Sequence, residues 1–186
     1  MNHTQLFWFI ARAAGVTAWI FSASSVFTGL VLSSKSLKQP RPNWQLDLHR
    51  HQGTVAIAAL ALHLGALVAD SFIHVGILDV VVPLHMSWKP GPVAWGVVAM
   101  YALVVVEVSS LLRAKLSKRT WRAIHQLSFF VYVASTVHFI QAGTDRYNVA
   151  LQWVILIATV VNVTALTLRL LARPKSSRGR SVRPAD

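Results

Sequence analysis

The sequence has no cysteine. That excludes disulfides, cysteine-held iron–sulfur clusters, covalently attached c-type haem and thiolate chemistry. Charge is also scarce. Only 13% of residues are charged, against about 25% in an ordinary soluble domain, and just six of the 186 are acidic. No Gly-x-Gly-x-x-Gly or other glycine-rich phosphate loop is present, so nucleotide binding by this chain is not expected. A net charge of +12 would fit nucleic acid if the basic residues were scattered over a polar surface. They are gathered instead between apolar runs.

What remains is apolar. Hydrophobic residues make up 54% of the chain and mean hydropathy is +0.51. Long runs place spans at about Leu6–Leu32, His49–Ile73, Pro92–Leu112, Trp121–Ala142 and Val149–Leu171, each long enough to cross about 30 Å of hydrocarbon. The fold class is all-α: a polytopic membrane bundle of about five helices, in one domain over 1–172. The basic, Ser- and Pro-containing stretch 173–186 reads as a disordered cytoplasmic tail. Ser33–Leu48 reads as a loop with Trp44 near the interface, and His74–Pro90 as an interfacial loop. A signal peptide fits the first run poorly, because MNHTQ offers no basic start.

Orientation follows from Lys and Arg. Fifteen of the 18 fall in the first loop, in the loop between spans three and four, or from Arg169 onward; only Arg12, Lys89 and Arg146 lie opposite. The positive-inside rule puts the N-terminus outside and the C-terminus in the cytoplasm, in a plasma (inner) membrane. Spans two and four then run parallel.

Those two spans carry paired histidines, His49 and His63 on one, His125 and His138 on the other. At about 1.5 Å per residue each pair spans roughly 20 Å. Ionisable groups inside a membrane are functional candidates by default. Matched heights on parallel helices point to two stacked haems, each with one axial histidine from each helix: His49 with His125 near the inner face, His63 with His138 further out. Two histidines leave no open iron position, which suits electron transfer. Gly53, Ala59, Ala134 and Ala142, four residues from these histidines, would leave room for a porphyrin or would simply pack helices. Trp121 breaks that pattern. The phase agrees only in part: 14 positions return to nearly the same face, whereas 13 leave His138 about 140° from His125. Either the two haems meet span four from different sides or that helix is distorted. His51 is an alternative to His49 but stands about 120° from His63.

The stretch from LHRHQGTVAIAALALHL through WRAIHQLSFFVYVASTVHFIQAGTD resembles the ferric reductase-like transmembrane domain, whose superfamily includes ferric reductases, NADPH oxidases and the haem-binding subunit of the periplasmic methionine sulfoxide reductase system. Its motif is a histidine pair on each of two helices with one helix between them, matched here by His49, His63, His125 and His138. The resemblance implies two b-type haems and electron flow across the membrane. Two departures accompany it: five spans are counted where six are common, and no flavin- and nicotinamide-binding domain follows Leu171. Electrons are therefore expected from a separate flavin reductase or from quinol, and their acceptor faces outward.

Three arginines are candidates for haem propionates: Arg12 at the outer level, and Arg50 and Arg122 at the inner level. Snorkelling and topology explain the same residues without haem. Glu107 is read as pairing with Arg113 or another interfacial base in preference to a quinone or proton role. Asp70 and Asp145 are placed in the outer interface, His3, His74 and His85 outside the core, and Phe129, Phe130 and Tyr132 as packing residues. Two other classes stay open: a transporter or proton relay that titrates the histidines, and a non-catalytic membrane anchor subunit.

Overall fold

The computed structural model describes residues 3–34, 43–71 and 74–171, with side chains from residue 5 onward. The tail 173–186 lies outside them. Helix α1 spans His3–Ser33, α2 Asn43–Ala69, α3 Ile77–Val81, α4 Pro90–Leu111, α5 Lys118–His125, α6 Leu127–Ala142 and α7 Val149–Leu171. Among the described residues, five helical segments are long and apolar enough to cross a membrane, α5 and α6 together forming one of them. The protein is an all-helical membrane bundle.

Most bulky apolar side chains face outward, including Leu62, Val105, Trp153, Ile157 and Leu168. In water that pattern would be unstable; in lipid it is the expected surface, because the tails are as apolar as the side chains. The interior is correspondingly small. Trp19, Ala23, Val26 and Leu30 of α1 cluster with Tyr132 of α6, and Phe129 and Phe139 pack against them together with Ile155, Ala158, Ala165 and Leu166 of α7. Polar ties at the cluster join different helices. Trp19 Nε1 donates to Thr136 Oγ1 at 2.9 Å, and the Tyr132 and Thr159 hydroxyls lie 3.0 Å apart. Tyr132 and Phe129 thus pack as expected, and Phe130 lies tilted against Trp95. Buried hydrogen bonds of this kind tie membrane helices together where lipid offers no competing partner.

Three boundaries differ from the sequence reading. Helix α2 begins at Asn43, so Asn43–Leu48 is helical, not loop, and Trp44 lies in its first turn. The expected loop His74–Pro90 contains the short helix α3, held by Asp79, whose carboxylate accepts from Gly76 N–H at 2.8 Å. Span four is interrupted at Gln126, immediately after His125. There the Phe129 N–H bonds Gln126 O in a tighter turn. The helix is thus distorted between His125 and His138, as one of the two expectations for the phase mismatch required.

Candidate functional site

The bundle brings the four histidines to two levels. His49 and His125 face one another with ring centroids 5.9 Å apart. His63 and His138 line one cavity of about 230 Å³. Helices α2 and α5–α6 therefore run parallel, with one histidine from each at each level.

Each ring is seated on the helix beside it, and three seats are built alike. His63 lies against Gly15 and donates Nδ1–H to the Ala11 carbonyl at 2.7 Å. His138 lies against Gly96 and donates to Pro92 O at 2.9 Å. His49 lies against Gly29 and donates to Ser25 O at 3.0 Å, with the Ser25 and Thr28 hydroxyls at 3.1 and 3.3 Å. In every case the acceptor is the carbonyl one turn before the glycine. That carbonyl already closes a helical bond, and its second lone pair is reachable because glycine leaves the groove open. A Cβ at Gly15 or Gly96 would come within 2.9 or 2.7 Å of the imidazole, so these are close approaches that only glycine permits.

The consequence is chemical. Committing Nδ1–H to a carbonyl fixes the tautomer and the ring orientation and leaves Nε2 as the free donor atom, as metal-binding histidines usually are. Among the described residues no protein group hydrogen-bonds Nε2 of any of the four. Nor does a group of three or more His, Asp or Glu side chains form a metal cage. Two imidazoles per level would suit an iron that already has its other ligands from a macrocycle. With metal–nitrogen distances of about 2 Å, rings on opposite faces of one iron have centroids on the order of 6 Å apart. The His49–His125 separation of 5.9 Å is of that size. An orphaned group at the same level fits a further acceptor: Trp121 Nε1–H is buried without a partner. The residues present fit haem.

A family model described as ferric reductase like transmembrane component matches residues 14–136. The chain belongs to the ferric reductase-like transmembrane family. The match takes in His49, His63 and His125 with the seats Gly15, Gly29 and Gly96, and His138 lies just beyond it. Comparison with curated proteins and with solved structures returns no match.

The remaining candidates of this family member fall as follows. Arg12 lines the His63-level cavity and is ion-paired with Asp145, its Nε 2.8 Å from Oδ2; Trp8 and Phe9 flank the guanidinium. Arg50 is exposed with Asp47 at 3.5 Å, and Arg122 is exposed. His51 is exposed, which leaves His49 as the ring that faces the bundle. Gly53 does not leave open space: the Glu107 carboxylate sits over it. Among the described residues Glu107 has no ion pair, and Arg113 instead stacks on Trp121. Ala134 and Ala142 are buried, and Ala142 lines the cavity. Asp70 is buried at the end of α2. His74 and His85 are exposed, and His85 bonds Asp79 at 2.7 Å. Asp79 also borders the cavity, and the bond to His85 holds its pKa below the ordinary carboxylate value.

The seats were the part that sequence reading missed. Small residues were sought on the histidine helices, whereas those that matter are on the neighbours. A signal existed: Gly15 and Gly29 are 14 positions apart, as are His49 and His63, and Gly96 and Ser110 repeat the interval.

Proposed function

We propose that this protein is a membrane b-type cytochrome that holds two haems between bis-histidine pairs and passes electrons across the bilayer. The observation that carries the proposal is the pair of histidine levels in which three of the four rings have Nδ1 bonded to a backbone carbonyl and none has a protein partner for Nε2 among the described residues. Membership in a family that contains haem in some members supports it. Haem, when bound, supplies one-electron chemistry at iron. The chain's own part is to bind and orient. His49 with His125, and His63 with His138, would be the axial pairs. About 20 Å of helix separates the levels, so together they would span much of the membrane.

Arg12 stands at the rim of the His63-level cavity, where it would meet a propionate by sharing or leaving Asp145; Arg50 and Arg122 would serve the other level. The proposed haem domain is 1–172, with 173–186 as a cytoplasmic tail. The basic end faces the cytoplasm of a plasma (inner) membrane, where a separate flavin reductase or quinol gives electrons that leave to an outward-facing acceptor. A proton relay needs both imidazole nitrogens available for exchange, and at His49, His63 and His138 Nδ1 is committed to a carbonyl, which favours ligation.

The test is haem quantification on the purified chain by pyridine haemochrome and metal analysis. Two b-type haems per polypeptide, removable by acid-acetone, are expected. A well-folded preparation reconstituted with haem that retains none contradicts the proposal.

A further inference from the structure

The fourth seat departs from the other three. Where glycine would open the groove for His125, α4 has Ser110, and its hydroxyl donates to Val106 O at 2.8 Å. That is the carbonyl a ring would use if the seat followed the pattern. Ser109 Oγ donates to the same carbonyl at 2.9 Å, and His125 Nδ1 meets only the Ser110 hydroxyl, at 3.4 Å. A long bond to a neutral hydroxyl orients a ring less firmly than a bond of 2.7–3.0 Å to a carbonyl.

Something else holds this ring. Trp121, one turn earlier on α5, stacks on His125 with centroids 5.0 Å apart and planes at 24°. The Arg113 guanidinium lies over the indole at 4.7 Å, a cation–π contact that fixes the indole in turn. Guanidinium, indole and imidazole form one column from the basic end of the bundle to the bundle interior. The other three histidines have no such stack among the described residues.

We infer that Trp121, braced by Arg113, is the positioning residue for His125, replacing the carbonyl bond that this ring lacks, so that the His49–His125 level has the more weakly held ligand. The inference rests on the proposed haem ligation. It gives Trp121, the residue that interrupts the small-residue pattern, a reason to be large.

The test uses the full chain loaded with haem and follows transfer of each spectral component to excess apomyoglobin, with low-temperature electron paramagnetic resonance of the low-spin signals. Trp121→Leu should speed loss of the His49–His125 component about 10- to 100-fold, the usual scale for removing an outer-shell support. Trp121→Phe, which keeps a stack, should stay within a few-fold of wild type, and Arg113→Ala should fall between. Ser110→Gly should restore the common seat, and Trp121→Leu made in that background should lose most of its effect. The His63–His138 component should be unchanged throughout and reports that the bundle is folded. If Trp121→Leu fails to fold, the order Trp121→Phe, then Arg113→Ala, decides the matter alone. Equal loss from both components, identical Leu and Phe variants, or no rescue by Ser110→Gly overturns the inference. A wild-type chain without haem overturns the reading beneath it, which the haem count reveals before any variant is made.

Discussion

Gly96→Ala is the sharpest perturbation of the seats. The new Cβ would lie 2.7 Å from His138 Nδ1, 2.8 Å from Cε1 and 2.9 Å from Cγ, where carbon contacts prefer about 3.5–4.0 Å. Three ring atoms are approached at once, so rotation about χ2 cannot clear them and the whole ring must retreat by about 1 Å. The 2.9 Å bond to Pro92 O would then stretch past hydrogen-bonding range. Overpacking strain of about 1–3 kcal/mol and the lost bond at about 0.5–1.5 kcal/mol give roughly 2–4 kcal/mol together. Displaced from its carbonyl, His138 should also hold the proposed haem about 10- to 100-fold less well. Gly65→Ala is the matched control, because nothing lies within 4 Å of a Cβ there; it should be neutral or stabilising by up to about 1 kcal/mol through helix propensity. Unfolding in mixed detergent measures the first effect, and the absorption of the His63–His138 component measures the second. A Gly96→Ala protein as stable as the Gly65→Ala control, with both components intact, would refute the reasoning.

Two further outcomes follow from polar contacts at the far end of the bundle. Arg12→Gln and Asp145→Asn should each destabilise modestly, and a double-mutant cycle should give a coupling of about 1 kcal/mol, since the pair is partly exposed,; a coupling near zero would mean that the ion pair does not hold α1 to the Thr144–Tyr147 turn. Asp79, its pKa depressed mainly by His85, stabilises its loop above the unfolded carboxylate value near 4, and that contribution is lost as pH falls through the lower folded value,. Amide exchange over Gly76–His85 should therefore quicken below about pH 4, and Asp79→Asn should remove the pH dependence.

The spans and the histidine levels were legible because lipid imposes a simple code: apolar length, basic loops and rare buried titratable groups. His49 was preferable to His51 on helical phase alone, and the structure leaves His51 exposed. The break at Gln126 was legible only as a conflict between 13 and 14 residues, because neither Pro nor Gly marks it. Arg12 and Asp145 are 133 positions apart, and no local pattern predicts so distant a partner. Gly53 could be read as porphyrin room or as helix packing, because helix periodicity says which residues share a face but not what the neighbouring helix places there. Glu107 fills that space from α4.

The central claim is the pairing, and redox-resolved difference spectroscopy of four single variants tests it most directly. His63→Ala and His138→Ala should lose or alter the same spectral component, His49→Ala and His125→Ala the other, with each double variant within a pair adding little to its singles. His51→Ala should leave both components in place. A component shared by His63→Ala and His125→Ala, or four variants whose spectra match wild type, would contradict the account.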